Sequence, residues 1–98
     1  MERQIYELSY WLKADSQEEN LKFRDIFEKF GFEVIQEIQP KTKNLAYPIK
    51  KETIGKFGTF YFYASQDKIE DFKNKIKTID QILRFIILKR KSFKINNK

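Results

Sequence analysis

From Gln4 to Leu12 the residues alternate, with Tyr6, Leu8, Tyr10 and Leu12 on one side and Ile5, Glu7, Ser9 and Trp11 on the other. A period of two marks a strand, and the first set is predicted to face the core. Lys13 and Ala14 then lead to a helix start. Ser16 and Glu19 have the spacing of a capping box, in which each side chain meets the other residue's unpaired backbone N–H. The acidic first turn suits the helix dipole. Phe23, Ile26, Phe27 and Phe30 recur at the intervals that line one helix face, which predicts a helix over Gln17–Phe30. Leu21 falls off that stripe. Gly31 supplies the left-handed residue that closes the helix.

Phe32 to Ile38 reads as a second strand, with weaker alternation because Val34 and Ile35 are adjacent. Pro40 in this extended run calls for an edge strand or a bulge, where a missing N–H does no harm. The stretch Leu45–Ser65 reads as strand, lysine-rich loop, strand. Tyr47-Pro48 is predicted to end its first strand. Lys50, Lys51 and Lys56 crowd the loop, and Gly55 and Gly58 are expected to provide backbone freedom there. Phe57 to Ala64 is the third strand, with Phe60 and Phe62 inward and Thr59, Tyr61 and Tyr63 outward. Ser65 is a suitable N-cap for a helix over Gln66–Lys77, whose buried stripe is Ile69, Phe72, Ile76 and Ile79. Ile82 to Lys91 is the last strand, with Phe85 and Ile87 on one face and Arg84, Ile86 and Leu88 on the other.

The order strand, helix, two strands, helix, strand favours an α+β, ferredoxin-like βαββαβ two-layer sandwich. Its four-stranded antiparallel sheet has the order 4-1-3-2 and carries both helices on one face. Residues 1–91 form this domain, and 92–98 a flexible basic C-terminal tail. The sheet face turned from the helices should be polar where it meets water. Here it would hold Ile5, Trp11, Tyr61, Tyr63, Ile86 and Leu88, from three adjacent strands. Such an apolar patch marks a partner site, and a protein surface suits Ile86 and Leu88 better than bases do.

Charge adds a second surface. The net charge is +6, unevenly spread: residues 1–40 carry five basic and nine acidic side chains, whereas residues 83–98 carry six basic and none acidic. A basic loop and C-terminus opposite an acidic first helix suit one-sided contact with a polyanion. The rim candidates are Arg3, Lys50, Lys51, Lys56, Arg84, Lys89, Arg90 and Lys91. The chain has no cysteine and no histidine, which removes thiolate chemistry, the commonest general base and the commonest zinc ligand together. No nucleophile–histidine pair and no glycine-rich phosphate loop is available, so no enzyme, metal or cofactor is expected. No apolar run approaches the roughly 20 residues of a membrane helix, and MERQIYEL lacks the shape of a signal peptide.

The segment LAYPIKK at Leu45–Lys51, followed by Gly55 and an aromatic strand, resembles the bacterial small-subunit ribosomal protein number six family. The likeness extends over nearly the whole chain through Tyr6-Glu7, Gly31 and Arg84. Lys56 departs from it, standing where the family has an aromatic. The resemblance implies a structural constituent of the small ribosomal subunit, in the cytoplasm or an organelle. It further implies binding to the central domain of the small-subunit ribosomal RNA together with small-subunit ribosomal protein eighteen, and a tail that orders in that complex. Two other readings share the topology. One is a free-standing RNA-recognition-motif protein, to whose aromatic strand motif Lys56–Tyr63 is similar without its glycine or register. The other is a small-molecule-sensing domain that binds at a dimer interface.

Overall fold

The computed structural model describes residues 3–16 and 22–91. Six elements follow in the expected order: β1 (Arg3–Lys13), α1 (Phe23–Phe30), β2 (Glu33–Ile49), β3 (Glu52–Ser65), α2 (Ile69–Ile76) and β4 (Ile82–Arg90). The strands form one sheet in the order β2-β3-β1-β4, antiparallel throughout, which is the ferredoxin-like arrangement.

One face of this sheet builds the core. Tyr6, Leu8, Tyr10 and Leu12 of β1 and Phe60, Phe62 and Ala64 of β3 are all buried. The helices supply Phe23, Ile26 and Phe27 from α1 and Ile69, Phe72 and Ile76 from α2. Aromatic contacts join the helices to the sheet and to each other: the ring of Phe27 lies 4.9 Å from that of Phe60 and 5.4 Å from that of Phe72 on the other helix, and Phe62 lies 5.4 Å from Phe72. Each such side chain contributes about 1.5–3 kcal/mol on burial, so both helices are held chiefly by their apolar stripes.

Gly31 closes α1 as expected, at φ 72°. Its N–H donates to the Glu28 carbonyl and that of Phe32 to the Phe27 carbonyl, the paired bonds of a left-handed helix end. The start of the helix differs from expectation: α1 begins at Phe23, after Lys22 at φ 57°. Residues 17–21, with Glu19 and Leu21, lie outside the described residues, so half of the expected capping box does too. The buried Ser16 hydroxyl has no hydrogen-bond partner among the described residues. Ser65 does precede a helical segment, but its side chain makes no capping bond, and Gln66–Lys68 form a 3₁₀ turn before α2.

The largest correction falls on residues 41–56. No lysine-rich loop exists there. β2 runs on through Tyr47 and Pro48 to Ile49 and joins β3 across a two-residue turn, Lys50-Lys51. Two facts reconcile the prolines with a strand. β2 is an edge of the sheet, so an absent N–H leaves no neighbour unpaired. Its pairing also slips between Ile38 and Lys41 and between Asn44 and Ile49, around Pro40 and Pro48 respectively. Gly55 and Gly58 correct a second expectation. Neither has positive φ; both make room for a neighbour. A Cβ on Gly58 would come within 2.6 Å of the Tyr10 hydroxyl, and one on Gly55 within 2.9 Å of the Leu12 carbonyl oxygen.

Candidate functional site

The face of the sheet turned from the helices is set by the strand registers. Four rows cross it from β4 to β2: Arg84–Trp11–Phe57–Lys41, Ile86–Ser9–Thr59–Ile38, Leu88–Glu7–Tyr61–Gln36 and Arg90–Ile5–Tyr63–Glu33. All six residues expected on this face are there. Ile5, Trp11, Tyr61 and Tyr63 are half-buried, while Ile86 and Leu88 are 54% and 45% exposed. On this face the exposed apolar side chains thus sit at the two edges: Ile86 and Leu88 on β4, and Ile38, 43% exposed, on β2.

The middle of the face is polar. The Arg90 guanidinium donates to the Glu7 carboxylate at 2.6 Å, and the Ser9 hydroxyl donates to the other Glu7 oxygen at 3.2 Å. The Glu7 side chain is only 16% exposed, and a half-buried carboxylate of this kind needs such partners. Ser9 also approaches the Thr59 hydroxyl at 3.4 Å. The rings at either end have neighbours. Trp11 and Phe57 lie 4.9 Å apart, the Lys43 amine stands 5.3 Å from the Phe57 ring, and the Arg3 guanidinium stands 4.5 Å from that of Tyr63.

The cations named from sequence separate into two groups. Arg3 pairs with Glu33 at 2.8 Å and Arg90 with Glu7. The Lys89 amine donates to the Gln66 side-chain oxygen at 3.3 Å. That of Lys56 donates to the Ser16 backbone carbonyl at 2.7 Å. Lys56 shares register with the core residue Leu12 and so lies on the helix side, apart from the open face. It ties the β1–α1 turn to β3, which argues against counting it with the rim. Lys50, Lys51, Arg84 and Lys91 are exposed and form no ion pair among the described residues. Lys50 and Lys51 stand at the hairpin tip, and Arg84 beside Trp11 on the open face.

Sequence reading missed Phe57, Ile38 and Lys43 on or beside this face. Counting back by twos from Tyr61 reaches Thr59 and Phe57, so the signal for Phe57 was present. Ile38 and Lys43 lie beyond slips in the pairing, where counting by twos fails. The tail at 92–98, expected to be basic and flexible, lies outside the described residues.

Comparison with known proteins gives consistent results. The sequence profile described as Ribosomal protein S6 matches residues 5–89. The small ribosomal subunit protein bS6 of Helicobacter hepaticus is 32% identical over 95 residues, covering 92% of this chain and 69% of that protein. The bS6 protein of Campylobacter lari is 30% identical over 89 residues, covering 86% and 72%. Among solved structures, the crystal structure of 30S ribosomal protein S6 from Thermotoga maritima superposes with a TM-score of 0.81 at 23% identity, covering 91% of this chain and 89% of that one. That last likeness bears on the fold.

Proposed function

The chain belongs to the ribosomal protein S6 family, and from that premise we propose that it is a structural constituent of the small ribosomal subunit in the cytoplasm, with two working surfaces. The open sheet face receives small-subunit ribosomal protein eighteen. The cations at its border and at the hairpin tip bind the central domain of the small-subunit ribosomal RNA. The observation that carries the reading is β4, where exposed Ile86 and Leu88 stand between Arg84 and Arg90 on a strand without a single acid. Apolar side chains of that size gain by being covered. Arg84, Lys50, Lys51 and Lys91 gain by meeting phosphate, since no carboxylate among the described residues already offsets them.

A free-standing RNA-binding role by base stacking would use Tyr61 and Tyr63 on the central strand β3. The Tyr63 ring already has the Arg3 guanidinium against it, and Trp11 already has Phe57. Rings so occupied make poor stacking platforms, and exposed Ile86 and Leu88 favour a protein partner.

The test is co-sedimentation with small ribosomal subunits, followed by stripping with salt. Four to six phosphate contacts give a log–log salt slope of roughly −3 to −5, by analogy with DNA. Tyr63→Ala with Ile86→Ser should weaken capture of protein eighteen and leave that slope in place. Lys51→Ala with Lys91→Ala should weaken RNA binding and flatten the slope by about 1.5 to 2. If both pairs gave one phenotype, the division between surfaces would be wrong.

A further inference from the structure

The two edges of the sheet are finished differently. β2 carries Pro40 and Pro48 and three slips in its pairing. β4 has no proline and no glycine, and from Arg84 to Arg90 it pairs with β1 without a slip. In an antiparallel pair every second residue turns its N–H and C=O away from the neighbour. β4 pairs only with β1, and no backbone bond from another element reaches residues 83–90 among the described residues. A regular row of unused donors and acceptors therefore lines this edge, the arrangement on which an extended segment adds as a further strand.

The side chains beside that row are incompletely covered on both faces of the sheet. Ile86 and Leu88 are exposed on the open face. Phe85 and Ile87, on the helix side, reach the core but are only partly buried. One added strand would run alongside all of them, whereas a partner lying on the open face alone would leave Phe85 and Ile87 as they are. Charge narrows the choice of occupant. β4 holds Arg84, Lys89 and Arg90 and no acid. A second copy pairing through the same strand would set these cations against their own kind, which destabilises a strand pair. Arg90 has Glu7, whereas Lys89 is exposed and its amine meets the neutral Gln66 side chain at 3.3 Å. An acid on a neighbouring strand would offset that charge.

We propose that β4 is the docking edge for an extended, acidic segment of the protein partner, which adds to the sheet as a further strand and places a carboxylate beside Lys89. The inference rests on the protein-partner reading of the open face. It adds that backbone hydrogen bonds at the edge hold the partner, as well as side chains on the face.

Amide hydrogen exchange tests it, read by NMR on the whole protein alone and in complex with small-subunit ribosomal protein eighteen. In the free protein, alternate amides of β4 between Leu83 and Arg90 should exchange fast and those between them slowly. With the partner at a free concentration about 100 times its Kd, the fast set should slow by about 100-fold. Lys89→Glu should weaken the complex by about threefold or more. A complex that forms while the fast amides stay fast would overturn strand addition and leave the open-face reading intact. Protection of the whole of β4 in the free protein would also overturn it, since the chain itself or a second copy then holds the edge. Unchanged or tighter binding by Lys89→Glu would overturn the acidic segment. Failure of protein eighteen to bind would overturn the partner reading and the strand addition together.

Discussion

Gly58 shows how a single missing side chain is used. Tyr10 lies directly across from it in the register, and Pro40 approaches from β2, 3.1 Å from where a Cβ would stand. Gly58→Ala forces a methyl group against a fully buried ring. Overpacking of this kind costs about 1–3 kcal/mol. Urea unfolding should show a lower midpoint with an unchanged slope. Tyr6 makes a different demand. Burial pushes its phenol above the ordinary value of 10.0, because the phenolate loses its hydration. The unfolded chain therefore gives up this proton before the folded one does. Stability from this source is fully present below pH of about 10 and is lost as pH rises through the folded value. Lysines titrate in the same range, so the comparison is with Tyr6→Phe. Its unfolding free energy should fall less steeply from pH 9 to 11, and an equally steep fall would exclude Tyr6 as the cause.

Elements are held together here by a few polar ties added to an apolar core. The clearest joins β3 to the β1–α1 turn through the Lys56 amine and the Ser16 carbonyl oxygen. Lys56→Met keeps the stem and removes the donor, and should cost about 1 kcal/mol. Because the amine is engaged inside the protein, the salt slope of RNA binding should stay where it is. A flattened slope would return Lys56 to the RNA surface. The elements also differ in how much their residues disclosed. The stripes Phe23, Ile26, Phe27 and Ile69, Phe72, Ile76 identified both helices, since each packs on one sheet face and periodicity reports that directly. The β2–β3 hairpin was hidden. Pro40 indicated an edge strand or a bulge, and β2 is both at the edge and slipped around it, but Tyr47-Pro48 read as a strand end, and Lys50-Lys51 does not look like a hairpin turn. The edge position of β2 and the slips in its pairing around both prolines make them acceptable.

At the scale of the molecule, the fold and the membership of the open face could be read in advance, and the state of its side chains could not. Alternation assigns a residue to a face, and it did so correctly for Trp11, Tyr61, Tyr63, Ile86 and Leu88. It does not report that Glu7 and Arg90 meet across strands, or that Arg3 settles over Tyr63, because those contacts join residues far apart in sequence. The same limit applies to charge. A lysine count could not separate Lys56, tied to a backbone carbonyl, from Lys50 and Arg84, which are exposed and form no ion pair among the described residues.

The long outer strand has a consequence beyond the assembled particle. An edge of 17 residues would ordinarily be a template on which a second copy could add, strand upon strand, toward aggregation. Here Pro40 and Pro48 delete amide donors, and three slips in pairing break the straight run. These interruptions make the edge a poor template for a second strand of the same kind.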